Sequence, residues 1–273
     1  MAALREDVGP GDYSTLASIP ADARGKAVLK IKEGGIIAGL QLAEEIFKCL
    51  EPGVTFTFYK RDGELVDHGE IAFEVAARVH TILKAERLVL NCMQRMSGIA
   101  TLTRKYVDAV KGYPAKILDT RKTTPLFRQF EKQAVHIGGG VNHRMGLYDM
   151  IMLKDNHIDF SGGIEPAIRR TNEYLKNNAL NLKIEIETRN LNDVKQVLQT
   201  GIVHRIMLDN FTPAMMAEAV SIAAGRVPLE ISGNVDLQTI GGYARTGVDF
   251  ISVGALTKHV RAIDLSLRLQ LSS

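Results

Sequence analysis

The second part of the chain alternates short strand-like runs with helical segments, and this rhythm limits the possible folds more than any other feature. After Gly112, runs rich in aliphatic residues recur at 115–118, 150–153, 182–186, 204–208, 228–231 and 249–253. Apolar residues with helical spacing fill later gaps, as at 191–198 and 214–224. Strands that alternate with helices form a parallel sheet with right-handed crossovers. The even spacing favours a barrel over an open sheet.

The predicted barrel has a length problem, because a full eight-stranded barrel takes about 250 residues. The chain has 273 residues, and its first hundred follow a different pattern. There we predict strands at 27–31 and 54–59, a helix at 40–50 and a long helix from about 80 to 110 that is interrupted near Ser97-Gly98. The sequence therefore predicts a compact or incomplete barrel preceded by a separate, small α/β lid domain.

Charge and cysteine usage exclude several classes of protein. Lys and Arg number 34 against 31 Asp and Glu, a balance too even for a general nucleic-acid or membrane-surface binder. No apolar run is long enough for a membrane span and no signal core opens the chain, so we expect a cytoplasmic protein. Cys49 and Cys92 match no metal or disulfide pattern and are predicted to be buried thiols. No serine or cysteine nucleophile and no zinc motif is recognisable.

Charged residues follow the predicted strands in a definite order. In an α/β barrel the chemistry belongs to the loops at the C-terminal ends of the strands. The early loops are cationic, the middle ones acidic and the last ones small and glycine-bearing. This order predicts a substrate with several negative charges, a divalent metal and a phosphate. Each piece also has a structural alternative: Arg121-Lys122 as a solvated turn, Lys154-Asp155 as a surface ion pair, and Glu185 with Glu187 as outward-facing residues. Two carboxylates on one buried strand face are costly unless paired or metal-bound.

Ten short motifs in order give the chain a resemblance to a known family. They are ED-x-G-x-GD at 6–12, GGIIAG at 34–39, ER-x-x-LN at 86–91, SGIAT at 97–101, DTRKT at 119–123, GGGVNHR at 138–144, GL-x-D at 146–149, KDNH at 154–157, LDN at 208–210 and GALT at 254–257. In this set the sequence resembles quinolinate phosphoribosyltransferase, the carboxylating nicotinate-nucleotide pyrophosphorylase. Asn234 and Lys258 depart from the family pattern, and most of its usual N-terminal helix is missing.

The resemblance implies an N-terminal α/β domain, sandwich-like in its α+β arrangement, and an open, seven-stranded α/β barrel. The expected boundaries are 1–105 for the first domain and 106–259 for the barrel, with a C-terminal helix at about 260–273 packing back on the first domain. The implied reaction, a pentosyl transfer in NAD biosynthesis, joins quinolinate to 5-phosphoribosyl 1-pyrophosphate with Mg²⁺. It releases pyrophosphate and CO₂ and gives nicotinate mononucleotide. The implied assembly is a homodimer with shared active sites, or a hexamer built from it.

The family's functional residues carry over to matching positions of this chain. Implied quinolinate ligands are Thr120, Arg121, His143, Arg144, Lys154 and, from the neighbouring subunit, Arg87. Implied ligands of 5-phosphoribosyl 1-pyrophosphate are Lys122, Lys154, Glu187, Asp209, Ser232, Gly233, Asn234, Val253, Gly254 and Ala255. Lys122, Lys154, Glu187 and Asp209 are the expected catalytic residues, and Glu187 and Asp209 the expected metal ligands, directly or through water.

Three other interpretations fit parts of the pattern. A molybdenum-locus paralogue of the family shares its barrel motifs, but the full cationic set here favours a dicarboxylate. A nicotinate-using phosphoribosyltransferase has only one carboxylate to bind. A non-catalytic binder of phosphate ligands would retain the carboxylates for stability alone. Release of CO₂ from carboxyl-labelled quinolinate separates all three from the main hypothesis.

Overall fold

The computed structural model describes residues 1–270, which divide into two compact units. The first unit comprises residues 1–104, 133–138 and the described residues from 260 onward, and the second comprises 105–132 and 139–259. In chain order the elements are α1 (Ala2–Val8), α2 (Tyr13–Ser18), β1 (Arg24–Ile31), β2 (Gly35–Ile36), α3 (Leu40–Leu50), β3 (Thr55–Phe58), β4 (Leu65–Val66), β5 (Ile71–Arg78), α4 (Val79–Ala109), β6 (Lys116–Leu118), α5 (Arg128–Ile137), β7 (Ile151–Leu153), α6 (Asp155–Phe160), α7 (Ile164–Asn177), β8 (Ile184–Thr188), α8 (Leu191–Thr200), β9 (Arg205–Asp209), α9 (Pro213–Ala223), β10 (Leu229–Ser232), α10 (Ile240–Ala244), β11 (Phe250–Ser252), α11 (Ala255–Lys258) and β12 (Leu265–Gln270).

The first unit is built on an antiparallel sheet with the strand order β12-β1-β5-β3. Residues alternate between buried and accessible along β1, as expected of a strand with one face on a core. An aromatic cluster ties α3 to this sheet: Phe47 meets Phe56 edge-on with ring centroids 5.4 Å apart, and Phe56 lies 5.1 Å from Phe73. The small α/β domain predicted from the sequence is thereby confirmed as a mixed α/β unit.

The C-terminal segment is a strand where a helix was expected. Residues 265–270 form β12, which pairs antiparallel with β1 in the register Leu267↔Leu29. Leu265 and Leu267 are buried while the residue between them is less so, a period of two that a helix does not produce. The prediction of a C-terminal helix is therefore wrong for 265–270, and its last three residues lie outside the described part of the chain.

Helix α4 runs without a break from Val79 to Ala109, although an interruption near Ser97-Gly98 was predicted. Both residues serve packing instead. A Cβ at Gly98 would lie 2.3 Å from the carbonyl oxygen of Arg261, so only glycine permits this approach. The hydroxyl of the buried Ser97 accepts a hydrogen bond from the Ala38 amide at 3.0 Å. Serine and glycine often end a helix, but here Ser97 and Gly98 are required by close contacts with neighbouring segments.

The second unit contains a six-stranded parallel sheet in the order β6-β11-β10-β9-β8-β7. Its strands lie within one or two residues of the predicted runs. Beside β6, a single parallel bridge between Leu118 and Val141 stands where a seventh strand would run. The open α/β barrel architecture is confirmed, with the seventh strand reduced within the described residues to this bridge.

The strands of this sheet are buried on both faces, which is typical of parallel sheets covered by helices. On β8, Ile184 and Ile186 are buried on one side, and Glu185 on the other. No helix in residues 1–270 is long and apolar enough to cross a membrane. Of the two cysteines, Cys92 is buried as predicted, whereas Cys49 is exposed near the end of α3, so the prediction for Cys49 is wrong.

Candidate active site

A pocket of about 370 Å³ opens at the C-terminal ends of the parallel strands. Parallel strands all end at the same edge, so the loops that follow them meet there. The lining contains nearly all of the predicted cationic residues and few acidic ones: Asp119, Thr120, Arg121, Lys122, His143, Arg144, Met152, Lys154, Met207, Ser232 and Ser252. The sequence prediction of a gathered cationic site is thus realised in one cavity of the second unit.

The loop after β6 carries Thr120, Arg121 and Lys122 into the pocket. The Lys122 amide donates to the Thr120 hydroxyl at 3.1 Å, and the Lys122 carbonyl accepts from the hydroxyl of Thr257 at 2.7 Å. The Lys122 side chain lies over Gly254, because a Cβ at that glycine would stand 3.4 Å from Lys122 Cδ and 3.7 Å from Nζ. The ammonium of this loop therefore adjoins the backbone of the loop after β11.

A buried ion pair holds the loop that carries His143 and Arg144. Lys132 and Asp119 have no exposed surface, and the Lys132 ammonium contacts Asp119 Oδ1 directly. The same ammonium donates to the His143 carbonyl at 3.0 Å, and Asp119 accepts the His143 amide at 2.9 Å. Burial raises the pKa of Asp119, and the neighbouring ammonium opposes this rise. Both peptide groups of His143 are therefore fixed by one pair of charges.

The imidazole of His143 faces two buried carboxylates beneath the pocket. Its Nε2 lies 2.9 Å from Glu185 Oε2 and 3.5 Å from Glu230 Oε2, close enough for ion pairing but without the alignment of directed hydrogen bonds. Burial alone lowers the pKa of His143, but the contacts with Glu185 and Glu230 outweigh it and raise the pKa to about 9. A pKa of about 9 favours the imidazolium at neutral pH, and this form competes with the hydrogen bond that Nδ1 accepts from the Arg144 amide.

The second ring nitrogen of His143 also has a protein partner. The Arg144 amide donates to Nδ1 at 2.7 Å, so the proton of the neutral ring belongs on Nε2, and a second proton must displace this hydrogen bond. Both nitrogens thus face protein groups, while the residue lines the pocket. This arrangement favours His143 as a charge behind the substrate rather than as a direct hydrogen-bond donor.

The two carboxylates differ in how well they are satisfied. Glu230 accepts a hydrogen bond from Arg205 Nη1 at 2.7 Å and another from the Ser252 hydroxyl. Burial raises the pKa of Glu230, but the contacts with His143, Ser252 and Arg205 outweigh burial and lower it. Glu185 has only the imidazole close by, with Arg205 at 4.0 Å, and neither of its oxygens has a directed hydrogen bond. Burial, together with repulsion from Glu230, raises the pKa of Glu185.

Arg144 reaches the pocket from the same loop as His143. Its guanidinium donates to the Met150 carbonyl at 3.2 Å, and the side chain is half-buried. Burial and the positive charge of Arg121 lower the pKa of Arg144, although the group stays a cation. Arg121 and Arg144 line the same pocket, an arrangement suited to a ligand with more than one carboxylate.

The acidic residues at the ends of β8 and β9 have different partners. Glu187 Oε2 accepts from the Lys154 ammonium at 3.1 Å, and Asp209 Oδ2 accepts from the Asn210 side chain at 2.8 Å. Strand alternation places Glu187 above Glu185 on the barrel-interior side of β8. The alternative of a surface ion pair between Lys154 and Asp155 is not what the structure shows, because the Lys154 ammonium pairs with Glu187 and the residue lines the pocket.

The loops after β10 and β11 consist of small residues, and the loop after β10 has left-handed backbone conformations. Gly233 has φ +106°, and a Cβ there would stand 2.2 Å from Asn210 Oδ1. Asn234, which departs from the family pattern, has φ +46°, a left-handed conformation that asparagine tolerates better than most residues. Val253 is buried, with its amide bonded to the Leu118 carbonyl at 2.9 Å, and is followed by Gly254 and Ala255. Consecutive small residues after two neighbouring strands match the usual phosphate position of barrels.

Arg87 is the one predicted site residue that belongs to the first unit. It is exposed on α4 and lines a surface hollow with Glu6, Asp7 and Asn91. It is not among the residues that line the pocket of the second unit. The other predicted cations line the pocket of the second unit, whereas Arg87 lies in a separate hollow on the first unit.

Several functional neighbours were missed by the sequence analysis, namely Arg128, Lys132, Arg205 and Glu230. Glu230 and Arg205 had a signal, since charged residues on otherwise apolar central strands need partners. Lys132 had none, because a lysine on an amphipathic helix ordinarily faces solvent. Recognition of the partners required the tertiary structure.

Two groups of side chains in the second unit carry atoms that could bind a metal ion. His143, Glu185 and Glu230 place their ligand atoms within 4.8 Å of one another, the only such group of three in the described residues. Arg205 is already paired with Glu230, and both carboxylates raise the pKa of His143 to about 9, so we assign this cluster to an imidazolium rather than to a metal ion. Glu187 and Asp209 offer hard oxygen ligands at the C-terminal ends of β8 and β9, which suits Mg²⁺ bound mainly through a substrate's phosphates.

Comparison with protein families places matches over almost the whole chain. Residues 12–97 match the quinolinate phosphoribosyl transferase N-terminal domain, and residues 99–268 match the corresponding C-terminal domain. The chloroplastic carboxylating nicotinate-nucleotide pyrophosphorylase of Arabidopsis thaliana is 46% identical, over 98% of this chain and 80% of that protein. A probable protein of the same name from Synechocystis is 42% identical, over 97% and 90%.

Solved structures give the same result at the level of the fold. NadC from Streptococcus pyogenes superimposes with a TM-score of 0.93 and 39% identity, covering 98% of this chain and 94% of that one. The nicotinate-nucleotide pyrophosphorylase from Francisella tularensis has a TM-score of 0.91 and 41% identity, with 98% and 94% covered.

Proposed function

Because the chain belongs to the quinolinate phosphoribosyltransferase family, we propose that its pocket performs that family's reaction with the residues described above. The enzyme is a carboxylating nicotinate-nucleotide pyrophosphorylase of NAD biosynthesis, which transfers the phosphoribosyl group of 5-phosphoribosyl 1-pyrophosphate to quinolinate. The observation that carries the assignment of residues is the presence of two guanidiniums, Arg121 and Arg144, in one cavity with Lys122 and Lys154.

The charges of the pocket match the two substrates in a specific way. A planar dicarboxylate is held best by guanidinium forks, which bind two oxygens at once, and Arg121 with Arg144 supplies two of them. Thr120 adds a hydroxyl at the same edge. The His143 imidazolium adds positive charge behind this subsite without needing a free nitrogen. Quinolinate is therefore expected against the loops after β6 and before β7.

The remaining residues suit 5-phosphoribosyl 1-pyrophosphate. The Ser232–Asn234 loop and the two residues after Val253, Gly254 and Ala255, supply the backbone amides that we assign to the 5-phosphate, whereas the Val253 amide is bonded to Leu118. Lys122 lies over Gly254, and Lys154 lies beside Glu187, so both ammoniums border the position between the two substrates. We assign them to the departing pyrophosphate, whose negative charge grows as its bond to ribose breaks.

The proposed reaction has two steps, a substitution at ribose C1 and a decarboxylation at C2 of the pyridine ring. The pyridine nitrogen of quinolinate attacks ribose C1, the C1–oxygen bond breaks, and both electrons leave on pyrophosphate. The ring nitrogen is now cationic, so the bond from C2 to its carboxylate breaks with its electrons kept on the ring, CO₂ leaves, and C2 takes up a proton. Glu187 and Asp209 stabilise the positive charge that develops on ribose, as carboxylates do in glycoside chemistry.

A divalent cation fits the same carboxylates. Mg²⁺ bound by Glu187, Asp209 and the substrate's pyrophosphate would neutralise charge on the leaving group. Protein ligands alone would hold the ion weakly, because two carboxylates at an open mouth are far short of six oxygens. We therefore expect metal binding to depend on 5-phosphoribosyl 1-pyrophosphate, with direct or water-mediated contacts to the two residues.

We further propose that the active unit is a homodimer in which Arg87 completes the partner's pocket. Support comes from the exposed cation on α4 and from apolar side chains beside the cationic loops: Leu126 is fully exposed, and Leu147 and Tyr148 are about 70% exposed. Such side chains are typical of surfaces that a partner covers. Association of the dimers into hexamers stays a prediction. A cytoplasmic location also stays a prediction, since the names of two plant relatives place them in the chloroplast and the mitochondrion.

The test is the release of labelled CO₂ from carboxyl-labelled quinolinate with 5-phosphoribosyl 1-pyrophosphate and Mg²⁺. We expect stoichiometric CO₂, pyrophosphate and nicotinate mononucleotide, and loss of turnover with a chelator. Nicotinate is the control substrate, because it lacks the second carboxylate. Equal turnover with nicotinate would refute the dicarboxylate assignment, and binding without CO₂ release would support a non-catalytic phosphate-ligand binder.

A further inference from the structure

Helix α5 carries two cations, Arg128 and Lys132, that stand outside the pocket lining but touch both loops that supply its guanidiniums. Four residues apart, they lie on the same side of the helix. We propose that Arg128 and Lys132, here called the α5 clamp, are positioning residues that set the spacing between Arg121 and Arg144 and so select a dicarboxylate. The inference rests on the proposed function for the identity of that ligand.

Arg128 connects the two loops through backbone groups. Its Nη1 donates to the Met145 carbonyl at 3.0 Å, and its Nη2 donates to the Arg121 carbonyl at 3.4 Å. Its Nε donates to the Thr123 hydroxyl at 2.9 Å. One planar, half-buried guanidinium thus bonds residue 121 itself and the residue directly after Arg144. The distance between the loops is fixed by a rigid fork rather than by a flexible chain.

Lys132 anchors the second loop from below. Its ammonium contacts Asp119 and the His143 carbonyl, while Asp119 also accepts the His143 amide. With its side-chain amide in the orientation that satisfies both neighbours, Asn142 donates to Asp119 Oδ2 at 2.7 Å and to the Lys132 carbonyl at 2.8 Å. Residues 142 and 143 are thereby bound to the end of β6, and Arg144 projects from a fixed backbone.

The α5 clamp opposes the repulsion between the two loops that carry Arg121 and Arg144. Arg121 and Arg144 carry like charges that repel, and the residues between β6 and α5 belong to no strand or helix that would fix them. A buried ion pair contributes little net stability relative to apolar packing, so a fully buried Lys132–Asp119 pair is better explained by the geometry that it imposes. The geometry that the pair imposes is the distance between the two guanidiniums, Arg121 and Arg144, that bind the carboxylates of the ligand.

The clamp predicts a selective loss of affinity. A dicarboxylate needs both guanidiniums at one spacing, whereas a monocarboxylate is satisfied by either one. Arg128→Met keeps the aliphatic stem and removes all three donors. We expect it to weaken quinolinate binding by roughly tenfold or more and nicotinate binding by less than about twofold, since misplacement of positioned groups is costly only where both are used.

The measurement is isothermal titration calorimetry of quinolinate and of nicotinate with the full chain. Arg169→Met is the matched control, because Arg169 is an exposed arginine on α7 that bonds Glu173 within its own helix. The control should leave both affinities unchanged. An Arg128→Met protein with an unchanged ratio of the two affinities would overturn the clamp, as would equal losses for both ligands, which indicate general loosening.

A second variant tests the other half of the clamp without leaving a buried charge alone. The double substitution Lys132→Met with Asp119→Asn removes both charges and keeps an oxygen for the His143 amide. It should reproduce the selective loss of quinolinate affinity, and an unchanged ratio would exclude Lys132 from the clamp. Wild-type protein that does not prefer quinolinate over nicotinate would refute the proposed function, a result distinguishable from a wild-type preference that Arg128→Met retains.

Discussion

The two buried glutamates beneath the pocket give opposite expectations for the same substitution. Glu230 and Glu185 have no exposed surface and both face His143. Glu230 has Arg205 at 2.7 Å and the Ser252 hydroxyl as well, whereas Glu185 has no directed hydrogen bond. Glu230→Gln therefore removes a charge that has hydrogen-bond partners, and Glu185→Gln removes a buried charge that has no directed hydrogen bond.

The magnitudes follow from these contacts. Breaking a buried pair by removing one partner costs about 3–5 kcal/mol, because the other charge is left uncompensated. For Glu230→Gln we expect the lower end, about 3 kcal/mol, since His143 can release its proton. For Glu185→Gln we expect about 1 kcal/mol or less, because relief of repulsion and desolvation offsets the lost contact with the imidazole.

The pH dependence of stability has opposite signs at the two residues. The pKa of Glu230 is lowered, so its contribution is present above the unfolded value of 4.5 and is lost as pH falls through the folded pKa. The pKa of Glu185 is raised, so its ionisation destabilises the fold as pH rises from 4.5 through the folded pKa. At neutral pH only the loss of the Glu230 charge should matter strongly.

Thermal unfolding at neutral pH tests this contrast. For a folding unit of about 150–250 residues, 3 kcal/mol corresponds to a decrease in Tm of roughly 10 °C, and 1 kcal/mol to less than about 4 °C. Glu173→Gln, which alters an exposed ion pair on α7, is the control and should leave the Tm nearly unchanged. Equal destabilisation by the two buried substitutions, or a larger effect of Glu185→Gln, would refute the reasoning.

Three further predictions concern the pocket and the assembly. Arg121→Ala should weaken quinolinate binding by about 1.5–3 kcal/mol while the fold survives, and unchanged affinity by calorimetry would exclude Arg121 from the site. Protonated His143 has its pKa raised from 6.5 to about 9, so its stabilising contribution is complete below 6.5 and is lost as pH rises through about 9; quinolinate affinity should fall there, and His143→Gln should lack this step. Arg87→Ala and Arg121→Ala proteins should each be nearly inactive, yet after subunit exchange about a quarter of wild-type activity should return, since half of the dimers are mixed and each has one intact site of two. Exchange verified by mass spectrometry without recovered activity would place Arg87 outside the partner's pocket.

Residues close in sequence were predicted well because their structure depends on local periodicity. The alternation of apolar runs identified β6 to β11, and the charges directly after those runs identified Arg121, Lys122 and Lys154. Parallel strands end at one edge, so a position after a strand is already a position in the site. The family motifs then assigned a reaction to this edge.

The failures occurred where a distant neighbour decides the local structure. The segment at 265–270 is a strand because β1 offers it an antiparallel edge. Gly98 lies inside α4 because the helix needs a residue without a Cβ where the Arg261 carbonyl approaches it. Cys49 lies on an exposed part of α3, which the helical periodicity alone did not distinguish from the buried face. Short segments have weak preferences of their own, and tertiary contacts override them.

The sequence by itself determined the class of fold, the edge of the sheet that binds ligand and the sign of its charge. Only the tertiary structure decided how those charges are held: His143 against Glu185 and Glu230, and the two guanidinium loops tied by Arg128 and Lys132. The physical reason is range. Hydrophobic periodicity acts within a few residues, whereas the partner of a buried charge lies wherever the folded chain brings one, and a charge that finds none is too costly to bury.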